Sequence, residues 1–188
     1  MGRVALVLRR PAAVAAAVCA AVLAVDQATK AVVRSTMAPV GTSIPLLGDL
    51  LRLTYVRNTG AAFGMLPGHP TVFIAVSILV LAGIVVYWLR VRPVRALVVV
   101  PVALVAAGAT GNLIDRLASG RVTDFIEVAY IPVFNVADSA IFVGVVFLMW
   151  WLLFGPAGHD AAAGIEHPAS TDSHGPVPDD THRSGTEV

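Results

Sequence analysis

Hydrophobic positions in this chain gather into four long runs rather than recurring with the spacing of a half-buried helix or strand. Pro11–Val25 is apolar throughout, and the pattern extends with few polar interruptions to Val33. Pro70–Leu89 is broken chiefly by Ser77 and Gly83, and Ala96–Leu113 and Ser139–Phe154 complete the set. At about 1.5 Å rise per residue, roughly 20 apolar residues cross a hydrocarbon layer of about 30 Å. The pattern therefore predicts four transmembrane helices, over about 11–33, 70–89, 96–113 and 139–154. The last is short, so it either begins earlier or crosses a thinned region. Tyr87-Trp88 and Trp150-Trp151 stand where interfacial anchors are expected.

The stretches between the runs read differently. Pro39, Gly41, Pro45 and Gly48 punctuate residues 34–57, and Leu50–Arg57 partly alternates and is rich in strand formers. A short strand or hairpin is expected there. Residues 58–66, with two glycines and an asparagine, suit a turn with close backbone approach. Residues 90–95 form a short basic turn. Residues 155–188 hold four histidines, several prolines and acids and almost no large apolar side chains, the composition of a disordered polar tail. At the N-terminus, Arg3, Arg9 and Arg10 precede an apolar run, and Cys19 follows Ala16-Ala17-Val18. A cleaved secretory or lipoprotein signal would share these features. Val18 is large for the position before a processed cysteine, and three further spans follow, so a first transmembrane helix is the better reading.

Composition agrees. The 188 residues are 57% hydrophobic and 13% charged, with mean hydropathy +0.80, against roughly 45–50% and about 25% for a soluble domain. The expectation is one mainly α-helical, polytopic membrane domain over 1–154. A net charge of +1 without a basic, aromatic-interleaved stripe predicts no nucleic-acid partner. The single cysteine excludes an internal disulfide, and four of the five histidines, His159, His167, His174 and His182, fall in the tail, leaving His69 alone. No metal and no cofactor are expected.

Four spans put both termini on one side. Basic residues outside the tail number six on each side: Arg3, Arg9, Arg10, Arg90, Arg92 and Arg95 against Lys30, Arg34, Arg52, Arg57, Arg116 and Arg121. The first six crowd into short segments, which favours cytoplasmic termini. Residues 34–69 and 114–138 then lie outside.

Candidate chemistry concentrates in residues 111–139, which carry four of the twelve acidic residues between two apolar runs. Charge at a membrane surface is costly and commonly functional. Asp124 and Asp138 are fourteen apart with Pro132 between them. They meet only if the strand-like segment Phe125–Phe134 folds over and returns. Two carboxylates in a partly dry site share a proton; one then takes a proton from water while the other protonates the scissile group. Asp138 also fits a helix-capping role, and Asp124 a solvated loop. Asn58, Asn112, Arg116 and Asn135 offer donors for a peptide backbone, with turn and cap roles as the alternative for the asparagines. Asp115 is placed to pin Arg116. Asp26 and Lys30, four apart on one helical face, form either an interfacial pair with Lys30 reaching outward or a pair that positions the site. The small residues ending the third run leave room for a neighbouring helix or a bound peptide. An ion- or proton-coupled transporter is the main rival reading, but its carboxylates would stand mid-span. A non-catalytic scaffold would give the asparagines and aspartates no reason to cluster.

Five segments, Asp-Gln-Ala-Thr-Lys (26–30), Asn-Thr-Gly-Ala-Ala-Phe (58–63), Gly-Asn-Leu-Ile-Asp-Arg (111–116), Val-Thr-Asp-Phe (122–125) and Phe-Asn-Val-Ala-Asp-Ser (134–139), resemble in sequence and order the motifs of lipoprotein signal peptidase, or signal peptidase II. The resemblance covers about residues 11–154. It implies a four-helix bacterial inner-membrane aspartic peptidase with a small extracytoplasmic sheet and short helix. Such an enzyme removes the signal peptide of a prolipoprotein on the N-terminal side of a cysteine carrying diacylglycerol. It implies a catalytic dyad of Asp124 and Asp138, substrate contacts from Asn58, Asn112, Arg116 and Asn135, and support from Asp26, Lys30, Gly60 and Asp115. It further implies inhibition by globomycin. The residues agree: an enzyme for a lipidated substrate needs a site at the membrane surface, open sideways to membrane lipid. Residues 34–66 and 117–137 would form a mobile cover. The tail keeps no assigned role.

Overall fold

A computed structural model describes residues 2–60, 70–91 and 96–155, with side chains over 11–60, 70–91 and 97–155. Most of the expected 58–66 turn, most of the basic turn at 90–95, and nearly all of the tail lie outside the described residues.

Helix α1 runs Gly2–Thr36, α2 Pro70–Val91, α3 Ala96–Ser119 and α4 Val136–Phe154. All four are long and apolar enough to cross a membrane, counting α1 from Pro11 and α3 from Leu97. The expected runs thus become longer helices: α1 starts nine residues before its run and ends three after it, α3 ends six residues after its run, and α4 begins at Val136, three residues before its apolar run. Its start is set by a reciprocal cap. The Asn135 side chain accepts from the Asp138 amide, and the Asp138 side chain accepts from the Asn135 amide, satisfying two otherwise free donors.

Helix α3 is the most enclosed, burying Val98, Val99, Val102, Ala103 and Ala107, whereas α2 and α4 expose large apolar side chains over much of their length. In lipid such exposure is favourable, and helix association rests on close packing. Gly108 and Gly111 provide it. A Cβ on Gly108 would strike the Ala137 carbonyl oxygen, and one on Gly111 would come within 2.5 Å of Asp26 Oδ2. The small-residue end of α3 is therefore filled by α1 and α4.

Four strands, β1 (Ser43–Leu47), β2 (Leu51–Asn58), β3 (Val122–Val128) and β4 (Ile131–Phe134), make one antiparallel sheet in the order β1-β2-β3-β4. The strand expected at Leu50–Arg57 is β2, paired in a hairpin with β1. The segment Phe125–Phe134 is the β3–β4 hairpin, turning through Tyr130, whose φ is 67°. No separate short helix occurs among the described residues.

Sheet and bundle meet in a small core of Val33, Met37, Tyr55 and Phe125, with Leu53, Ile126 and Val136 packed against it. The architecture is mainly helical, four apolar helices with a small antiparallel sheet across one end.

Candidate active site

Every polar residue singled out by the sequence, among those described, gathers at the end of the bundle beneath the sheet. The C-terminal ends of α1 and α3, the N-terminus of α4 and strands β2 and β3 converge there.

Asp124 comes from β3 and Asp138 from the first turn of α4. The β3–β4 hairpin folds back over fourteen residues of sequence and puts both on one cavity of about 750 Å³. Asp124 Oδ2 accepts from Asn58 Nδ2 at 2.9 Å, and Oδ1 from Asn135 Nδ2 at 2.7 Å. Asp138 Oδ1 accepts from Asn112 Nδ2 at 2.7 Å, and Oδ2 from the Asn135 amide at 3.2 Å. Each carboxylate thus holds two nitrogen donors, one per oxygen. Burial pushes the Asp124 carboxyl up to about 6. The neighbouring Asp138 charge acts in the same direction, while the bonds from Asn58 and Asn135 and the charge of Lys30 pull against it.

Of the four residues expected to meet substrate, Asn58, Asn112 and Arg116 line the cavity and Asn135 does not. Asn135 is 0% exposed, and its amide joins Asp124, Asn112 and the Asp138 backbone. Arg116 lies over the Phe73 ring, 5.3 Å from its centroid, a cation–π contact. Gly60 lines the cavity and donates its amide to Asn58 Oδ1 at 2.9 Å.

Beneath the carboxylates lies a second, fully enclosed layer. Lys30 is 0% exposed; its ammonium reaches Asp26 at 3.0 Å, Asp115 at 3.2 Å and Asn112 Oδ1 at 3.0 Å. It points inward, so of the two readings of the Asp26–Lys30 pair the structure has the one that faces the site. Asp115 turns away from its neighbour Arg116. It accepts instead from Lys30, from the Thr123 amide at 3.1 Å and from Arg34 at 3.5 Å. Asp26 takes the Ala137 amide at 3.0 Å, tying α1 to the start of α4. Lys30 and Asn135 both donate to Asn112 Oδ1, which leaves Asn112 Nδ2 to face Asp138.

Sequence reasoning missed Arg34, Gln27 and Thr123. Arg34 also donates to Thr123 Oγ1 at 3.2 Å, and Gln27 bridges Asp26 to the Gly111 carbonyl. Gln27 stands inside the quoted 26–30 segment, and Thr123 adjoins Asp124, which was the available signal. Arg34 had none beyond its place one turn after Lys30. Among the described residues no buried side-chain nitrogen or oxygen lacks a partner.

Apart from Ser139, the rest of the cavity wall is apolar, built from Phe73, Val122, Ile131, Phe134, Ile141 and Phe142 among others. Four spans with paired carboxylates in an apolar cavity at one end define a polytopic membrane enzyme. The chain belongs to the signal peptidase II family, whose model, described as signal peptidase (SPase) II, matches residues 18–154. The lipoprotein signal peptidase of Pelotomaculum thermopropionicum is 46% identical over 136 residues, covering 72% of this chain and 89% of that protein. That of Moorella thermoacetica is 46% identical over 137 residues, 73% of this chain and 90% of the relative. A solved bacterial membrane enzyme superposes with a TM-score of 0.72 at 31% identity, covering 84% of this chain and 94% of its own. A second gives 0.69 at 34% identity, covering 76% and 94%. The protein is thus a multi-pass membrane hydrolase of the lipoprotein-processing class.

Proposed function

We propose that this chain is an aspartic endopeptidase that removes the signal peptide from diacylglyceryl-modified prolipoproteins, cutting on the N-terminal side of the lipidated cysteine. The observation that carries the reading is the pair Asp124, buried, and Asp138, half-buried, on one cavity, each oxygen held by a nitrogen donor. Two adjacent carboxylates in such a place do not both ionise cheaply and retain one proton between them. The ionised member takes a proton from water as the water attacks the scissile carbonyl. The protonated member donates to the carbonyl oxygen; as the tetrahedral intermediate collapses it recovers that proton, and the member that took the proton from water passes it to the leaving amine. No side-chain nucleophile enters.

Asn58, Asn112 and Arg116 stand on the cavity wall, where their donors serve a peptide backbone. Asn135, with Asp26, Lys30 and Asp115 behind it, holds the carboxylates in place. The apolar wall suits a signal-peptide segment and acyl chains that never leave the bilayer. Globomycin is expected to compete for the same cavity. The protein resides in the bacterial inner membrane with both termini cytoplasmic and the cavity at the extracytoplasmic face.

The direct test is mass spectrometry of a diacylglyceryl prolipoprotein incubated with purified protein. A product beginning at the lipidated cysteine, lost on adding globomycin, supports the reading. An intact substrate, or a cut elsewhere, refutes it.

A further inference from the structure

The sheet has two unlike faces. On one, Arg52 Nε donates to Ser43 Oγ at 2.9 Å, Ser43 and Thr54 share a 2.6 Å hydrogen bond, and Thr54 bonds Glu127. Arg52 also pairs with Asp49 at 3.2 Å. The other face carries two cross-strand rows without a polar side chain: Ile44, Leu53, Ile126 and Phe134, then Leu47, Leu51, Val128 and Ile131.

This apolar face looks toward the membrane end of the bundle. Leu53 and Ile126 pack on the core formed with Val33 and Met37, at the end of α1, and with Val136, at the start of α4. The helix ends do not cover all of it. Ile44 is 44% exposed and Leu47 62%, and Leu46, Leu50 and Tyr130 are exposed beside them. The two hairpin turns stand side by side, since the Ala129 amide donates to the Leu50 carbonyl. One overhanging edge therefore presents five aliphatic side chains, counting Ile131, and a tyrosine. Chain connectivity keeps it near the bilayer. β3 begins three residues after α3 ends, and β4 ends two residues before α4 begins. The overhang also continues through Ile131 and Phe134 into the cavity wall and onto Phe142 of α4, exposed on a membrane-spanning helix.

We propose that this overhang is a lipid-docking surface: the apolar face of the β1–β2 hairpin, with Tyr130, lies in the interfacial region of the same bilayer that the helices cross. An apolar patch outside the spans is costly in water and favourable at the acyl boundary, where tyrosine also partitions. The polar network of Ser43, Arg52, Thr54 and Glu127 then faces solvent. The sheet is thereby held flat beside the cavity mouth. The inference rests on the membrane placement of the spans and not on the peptidase reading.

The test uses the one cysteine, replaced as Cys19→Ala, as background for Ile44→Cys, Leu47→Cys and Ser43→Cys, each spin-labelled and reconstituted in phospholipid vesicles. Power saturation compares relaxation by oxygen, which concentrates in lipid, with that by a water-soluble nickel chelate. Labels at 44 and 47 are expected to favour oxygen and the label at 43 to favour nickel. Folding of each variant is checked by the helical circular dichroism signal. Nickel access at 44 and 47 equal to that at 43 would overturn the proposal. So would protection from both agents that disappears on dilution with unlabelled protein, which would mark a second copy as the occupant.

Discussion

Lys30→Met tests whether the buried layer holds the site together. In the folded protein this ammonium is fully enclosed and is shared by Asp26, Asp115 and Asn112 Oδ1. Methionine keeps the length of the side chain and removes the charge. Asp26 and Asp115 are then left without a buried cation in a dry layer, the exposed Arg34 being, among the described residues, the one cation still paired with Asp115. Removing one partner of a buried ion pair costs about 3–5 kcal/mol, because the other charge is left uncompensated. For a chain of this size that corresponds to a fall in Tm of roughly 6–20 °C. Thermal unfolding in detergent, followed by tryptophan fluorescence, measures it. Adding Asp26→Asn should recover most of the loss. The asparagine oxygen can still accept the Ala137 amide, and Asp115 retains Arg34. Lys30→Met melting with the wild-type protein, or the double variant melting below the single one, would refute this role for Lys30.

Three further outcomes follow from the same geometry. The folded Asp124 pKa of about 6 lies above the 3.8 of the free side chain. Its contribution to stability, at most about 3 kcal/mol, is therefore full below the unfolded value and lost as pH rises through about 6. The same proton belongs to the proposed dyad, so kcat/KM is expected to decline as pH rises through that region; a flat profile there would contradict it. Asn135→Ala removes the α4 cap and a donor to Asp124. It should lower kcat/KM on the order of tenfold to a hundredfold, at about 1–3 kcal/mol for an unpaired buried group, with a shifted pH profile that a purely structural loss would not produce. Gly111→Val places a side chain against Asp26 Oδ2 and should destabilise by about 1–3 kcal/mol, read as a lower Tm with the cavity residues unchanged.

The sequence made the outline of this molecule readable because its signals were local. Apolar runs announced the four spans, Pro39 and Gly41 announced the break before the sheet, and Gly48 the turn between β1 and β2, whereas Pro45 lies within β1. Asp138 ahead of an apolar run announced a helix start, and the structure adds that Asn135 is the cap and Asp138 its reciprocal partner. What was not readable depends on contacts between residues far apart in sequence. Asp115 adjoins Arg116, yet its partners are Lys30 and Arg34 on another helix and the Thr123 amide eight residues on. Successive side chains on a helix point about 100° apart, so adjacency did not favour Arg116. The inward turn of Lys30 was likewise hidden, because a lysine at a span end ordinarily reaches for water. Here two acids and an asparagine from α3 and α1 give it a better place inside. Gly108 and Gly111 were legible as small but not as matched to Ala137 and Asp26. The return of the chain between Asp124 and Asp138 needed the turn at Tyr130, a left-handed residue without glycine's freedom that the sequence did not mark.

In the proposed function, Asp124 and Asp138 together perform peptide hydrolysis. Asp124→Asn and Asp138→Asn, each purified and shown to be folded by circular dichroism, should leave a diacylglyceryl prolipoprotein uncut under conditions where the wild-type protein processes it fully. Wild-type-like cleavage by either variant would remove that aspartate from the dyad and contradict the account.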